Sequence, residues 1–149
     1  GSYAYAFKIS GFNLTIDPFT TQDTLTLSAE QAVLEGKQIT LEERKGRSNI
    51  GFWDNPSESV HWLAAVTEAG NYQFREFAAI ETSRLKLQID DHAIAFNVPK
   101  TGNWDTPQFV EIGTIHFDKP GVYHLRLYPE DAAQWHAVNL WQIQCTKTK

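Results

Sequence analysis

Two short segments set aromatic rings among small polar residues: Asn49-Ile-Gly-Phe-Trp-Asp-Asn-Pro-Ser57 and Thr101-Gly-Asn-Trp-Asp-Thr-Pro107. Each puts a Trp beside Asp or Asn, close to Gly and Pro, which are loop and turn residues. That setting predicts partly exposed rings, whereas Trp62 sits inside apolar alternation and reads as core. An indole face stacks on the C–H face of a sugar ring, while Asn and Asp hydrogen-bond its hydroxyls. The chemistry on offer is therefore saccharide binding. A competing reading, in which both indoles plug the ends of a β-sandwich, stays open. Trp135-His136 is a third such place: it either walls the same site or lies over the sandwich end.

Other chemistries find less support. The chain has no Gly-rich phosphate loop, no Gly-x-Ser-x-Gly elbow and no His-Glu-x-x-His. Glycoside cleavage needs two carboxyl groups ~5–10 Å apart. Glu42-Glu43 and Glu130-Asp131 are sequence neighbours, and neighbours on a strand face opposite ways. Asp90-Asp91 reads as a turn. His61, His116 and His124 alternate against apolar neighbours, which predicts the solvent face of strands. Cys145 falls in phase with Ile143 and has no flanking His or basic group, so it reads as a small core residue rather than a nucleophile.

Strands must position these loops. Alternation runs through Tyr3–Ile9, then Leu25/Leu27, Ile39/Leu41, Val60–Val66 and Tyr72/Phe74. It continues through Leu85–Ile89, Ile94–Val98, Phe109–Phe117, Tyr123–Leu127 and Val138–Cys145. Asp90-Asp91-His92 joins two of these tightly, and Pro120-Gly121 is a turn. The one helical expectation is Ala29 to Leu34, stopped by Gly36. About ten short strands at ~8–12-residue spacing predict an all-β fold, a sandwich or barrel. Trp62, Trp141, Tyr72, Phe74, Phe96 and Tyr123 are expected in its core.

The 149 residues suit one domain, and the formal net charge of −5 with no basic block argues against nucleic acid or an anionic membrane as partner. A single Cys excludes an internal disulfide framework. Five Trp, five Tyr and nine Phe are a heavy aromatic load, while Met is absent and the chain starts Gly1-Ser2. The start predicts a cloning remnant on a fragment, either cut from a longer protein or matured by removal of a leader. Residues 1–23 then read as remnant, lead-in strand and linker, and 24–149 as the sandwich.

Residues 25–146 resemble carbohydrate-binding modules of the family 6 and 35 type, and more closely the related modules appended to bacterial fucosidase-like hydrolases and sulfatases. The likeness rests on Leu27-Ser-Ala-Glu-Gln-Ala-Val-Leu-Glu-Gly36, Asn49-Ile-Gly-Phe-Trp-Asp-Asn-Pro56, Val60-His-Trp62 and Ala69-Gly-Asn-Tyr72. It continues in Thr101-Gly-Asn-Trp-Asp-Thr106, Ile112-Gly-Thr-Ile115, Pro120-Gly-Val-Tyr-His-Leu125 and Val138-Asn-Leu140. The order and spacing of these strings carry it, not any one of them.

The resemblance implies a jelly-roll β-sandwich of about ten antiparallel strands, of the galactose-binding-like type. It implies one sugar site among loops at one end, carried here by Phe52 or Trp53, by Trp104 with Asp105 beside it, and by Asn139, with Trp135 near. Glu42 or Glu43 would add a hydroxyl acceptor. It further implies a structural calcium, for which Glu30 is the one candidate ligand. Ser28 stands where another acid is common, and Trp141 lies near the place of an expected Asp. Asn103 replaces the second Gly of the family's Gly-Gly-Trp loop. The expected function is non-catalytic glycan binding. The module would tether an upstream catalytic domain to an oligo- or polysaccharide, in a secreted or periplasmic bacterial protein. The rivals are a structural accessory domain that binds no sugar, and a small stand-alone hydrolase or lyase.

Overall fold

A computed structural model describes residues 24–66 and 69–148. The lead-in strand expected over Tyr3–Ile9 and the linker after it lie outside the described residues. Eleven strands are described, all paired antiparallel. They are β1 (Thr24–Ser28), β2 (Val33–Glu35), β3 (Thr40–Arg44), β4 (Arg47–Gly51), β5 (Ser59–Val66) and β6 (Gly70–Ile80). Then follow β7 (Ser83–Ile89), β8 (His92–Val98), β9 (Gln108–Phe117), β10 (Gly121–Pro129) and β11 (Val138–Lys147). One sheet runs β3-β4-β11-β6-β9, with β1 also on β11; the other runs β2-β5-β10-β7-β8. The two form a sandwich, the all-β class expected.

Alternation explains the core. Leu85, Leu87, Ile89, Leu125, Leu127, Val60 and Trp62 of one sheet bury against Ile50, Phe74, Leu140, Ile143 and Cys145 of the other. Burial pushes the Cys145 thiol up, which leaves it a core hydrophobe with little thiolate. The Trp62 indole keeps its polar edge satisfied by donating to the Ser28 carbonyl at 2.9 Å, as a buried N–H must.

Three expectations change. The helical segment shrinks to a 3-10 turn over Ala29–Gln31, after which Val33–Glu35 joins the second sheet beside β5. The chain has to cross between sheets there, and three residues suffice. His61 is not on a solvated face: it is 4% exposed and stacks flat on the half-buried His124, with Nδ1 and Nε2 2.8 Å apart. Its Nε2 also meets the Ser59 hydroxyl at 2.9 Å and Glu35 at 3.3 Å. His116 is exposed as expected. Trp141 is buried but stands outside the contiguous core cluster. A β-bulge between Leu140 and Gln142 shifts the register, so Val138 and Leu140 point inward before it and Ile143 and Cys145 after it. Trp141 is the residue displaced, and sequence parity alone could not show that.

Candidate functional site

The loop from Phe52 to Glu58, between β4 and β5, is rooted by one ring and presents another. Trp53 is fully buried, and its Nε1 donates to the Glu58 carbonyl at 3.1 Å. Trp135 packs on it at 5.0 Å between ring centroids and donates its own Nε1 to the Trp53 carbonyl at 2.9 Å. With Trp53 turned inward, its neighbour must turn outward. Phe52 is 57% exposed and takes a left-handed backbone, φ 54°. A bulky residue rarely adopts that conformation, at a cost of about 1–2 kcal/mol.

The loop between β8 and β9 presents the second ring. Thr101 ties it to the end of β6: its N–H donates to the Ile80 carbonyl at 2.9 Å, and its hydroxyl accepts from the Ile80 N–H at 3.1 Å. The Asn103 side chain accepts the Asp105 N–H at 2.6 Å and closes the turn. That turn leaves Trp104 43% exposed. Asn139, at the start of β11, donates its Nδ2 to the Trp104 carbonyl at 3.1 Å. Arg44 on β3 bridges to the loop from the other side, with Nε on Glu42 Oε1 at 2.6 Å and Nη1 on Asp105 Oδ1 at 3.0 Å. These carboxylates, Glu42 first, hold the guanidinium more firmly protonated than usual. Asn49 donates to the same Glu42 oxygen at 3.0 Å.

Between these pieces lies an open cleft of about 260 Å³, lined by Glu42, Arg44, Phe52, Asp54, Trp104, Ala137 and Asn139. The structure thus brings Phe52, Trp104 and Asn139 together. Asp105 stands just behind, on Arg44. Trp53 and Trp135 do not line the cleft; they are the packed root beneath Phe52. Of the two aromatics the sequence offered, the exposed one is Phe52. Asp54 belongs to the segment whose Asn and Asp were expected to meet sugar hydroxyls, but sequence reasoning gave Arg44 no role in the site. Arg44, on an edge strand 61 residues from Asp105, carries no local signal.

The place expected to hold calcium fits the ion poorly. Glu30 accepts from the Ser48 hydroxyl at 2.8 Å, in a hollow shared with Ser28, Arg47, Trp141 and Gln142. Hard Ca²⁺ needs six to eight oxygens, several of them carboxylate. Here one carboxylate shares the hollow with a guanidinium and an indole. Among the described residues no group of three His, Cys, Asp or Glu side chains converges.

No family model matches the chain, and no curated protein is significantly similar to it. Solved structures are. The C-terminal family 6 module of a marine laminarinase from Zobellia galactanivorans is 22% identical, with TM-score 0.70 over 83% of this chain and 99% of that one. The fold is that of the family 6 and 35 carbohydrate-binding modules. A family 6 module from the Cellvibrio mixtus lichenase 5A, solved with cellotriose, is 17% identical, with TM-score 0.65 over 84% of this chain and 98% of that one. A Podospora anserina β-1,4-mannanase that joins a family 26 hydrolase to a family 35 module is 15% identical, with TM-score 0.69 over 86% of this chain and 28% of that one. At these identities the likeness establishes the module fold, and the cleft has to be argued from its own residues.

Proposed function

We propose that this chain is a non-catalytic carbohydrate-binding module whose cleft takes a glycan through Phe52 and Trp104. The observation that carries this is Phe52: an exposed Phe held in a left-handed backbone at the edge of a cleft. Strain of that kind persists where the surroundings over-determine it, and it clusters at binding sites. Packing does not explain the ring's position, since more than half of it is exposed. Two exposed rings flanking a groove with carboxylate, amide and guanidinium groups match what a pyranose offers, apolar C–H faces and a rim of hydroxyls.

The cleft is smaller than the ~300–1,000 Å³ of sites that enclose a drug-sized ligand, which suits a single ring or a chain end. A hydrolase would need a free acid and base across the bond. Glu42, the best-placed carboxylate, has one oxygen engaged by both Arg44 and Asn49, which fits a positioning role. The module would act by tethering, raising the local concentration of a linked catalytic domain on its polysaccharide. That purpose fits an exported protein, secreted or periplasmic. Affinity electrophoresis against a panel of soluble polysaccharides tests the reading. Retardation by at least one, lost in Trp104→Ala with unchanged melting, supports it; no retardation by any overturns it in favour of a structural accessory domain.

A further inference from the structure

The charges lining the cleft constrain what sugar it can take. Arg44 is its one cationic lining residue, and both Glu42 and Asp105 already engage it. The two carboxylates more than balance its charge, so an anionic sugar that reached its remaining N–H groups would also meet the repulsion of Glu42 and Asp105. Asp54, by contrast, lines the cleft two residues from Phe52, is exposed, and has no hydrogen-bond or ion-pair partner among the described residues. A free carboxylate beside an exposed aromatic face attracts a cation twice, through charge and through the ring quadrupole.

Resting on the sugar-binding reading above, we propose that this cleft selects an amino sugar, a pyranose bearing a protonated amine, and rejects uronic acids and sulfated sugars. The ring's C–H face would lie on Phe52 or Trp104, with the ammonium towards Asp54. N-acetylation removes the charge and with it the preference. Neutral sugars remain acceptable, because stacking and hydroxyl contacts do not depend on the amine.

Calorimetric titration with glucosamine and galactosamine oligomers, their N-acetylated and neutral counterparts, and glucuronate and galacturonate oligomers tests this. The expected result is tighter binding of an amino oligomer than its N-acetylated form by about two- to five-fold, the size of an exposed ion pair. That ratio should shrink as salt shortens the Debye length from ~30 Å at 0.01 M to ~10 Å at 0.1 M. It should also fall towards one in Asp54→Asn, an exposed loop position. Neutral and amino oligomers binding equally, or uronates binding as well as neutral ones, overturns the charge selection while leaving sugar binding intact. Binding of none of the series overturns both.

Discussion

The side chain of Asn139 holds the main chain of Trp104: its Nδ2 donates to the Trp104 carbonyl at 3.1 Å while the residue itself is 3% exposed. Asn139 thus lines the cleft and also fixes one of its platforms. Asn139→Ala should leave that carbonyl without its donor and let the loop drift. The expected outcome is a loss of about 1 kcal/mol in stability together with a roughly tenfold loss of glycan affinity, since misplaced platforms forfeit preorganisation. Thermal melting and calorimetric titration read the two separately. Unchanged affinity would restrict Asn139 to a structural role.

Phe52→Gly separates function from stability, because only glycan retention should fall. Glycine accepts φ 54° freely, so relief of strain offsets the glycine's added unfolded entropy. The ring is more than half exposed and leaves little cavity. Stability should stay level or rise by up to about 1 kcal/mol, while glycan retention falls sharply. A clear drop in melting temperature would mean that the ring packs rather than presents itself.

The contrast between Phe52 and Trp53 shows how far the sequence could be read. Gly, Asn, Asp and Pro around the rings marked the segment as a loop. Which of two adjacent rings is presented depends on the Glu58 carbonyl at the loop's far end and on Trp135, which comes from elsewhere in the chain. The sandwich was legible because strand alternation is local, and so were the tight turn at Asp90-Asp91 and the strand pair it joins. The Trp141 bulge, the Arg44–Asp105 bridge and the His61–His124 stack were not. Each depends on how segments distant in sequence are brought together, which no local pattern encodes.

Gly36 should tolerate no side chain. A Cβ there would lie 1.8 Å from Glu58 Oε2, and its φ is +147°. Glu58 cannot easily step aside, since it is 3% exposed and accepts the N–H groups of Gln38 at 2.9 Å and Ile39 at 3.3 Å. Its carbonyl also holds the Trp53 indole. Gly36→Ala should therefore cost about 2–4 kcal/mol, as overpacking and backbone strain combined, and weaken glycan binding through the loop that carries Phe52. Denaturant unfolding measures the first effect. A loss below about 1 kcal/mol would show that Glu58 can move.

Calcium should make little difference to this module. The hollow around Glu30 offers one carboxylate and places Arg47 and Trp141 in the same space, a poor exchange for six to eight oxygens. Melting curves in millimolar calcium and in excess chelator should coincide. A rise of several degrees with calcium would mean that backbone carbonyls supply the ligands the side chains lack.

Acid should destabilise the fold through the histidine pair on β5 and β10. Burial pushes His124 down from 6.5 to about 4, with the neighbouring His61 and then Arg126 adding to the effect. Burial lowers His61 as well, against the opposing pull of Glu35. With Nδ1 and Nε2 only 2.8 Å apart, one ring must donate and the other accept, and a second proton would set donor against donor. The unfolded chain takes up protons near pH 6.5, but native His124 resists until about pH 4, and His61 is lowered in the same direction. Stability is therefore full above about pH 7 and falls as pH drops through 6.5 towards 4. Glu35, held below its usual range chiefly by the Ser59 hydroxyl, adds a loss of the same sign below about 4.5. For His124 the gap sets a ceiling of about 3 kcal/mol at 1.36 kcal/mol per pH unit. Its partial exposure brings the expected loss to about 1–2 kcal/mol. Urea unfolding from pH 7.5 to 4 should show this slope in the wild type, and a double His61→Gln, His124→Gln variant should flatten it. An unchanged slope in that variant would assign the acid loss to carboxylates elsewhere.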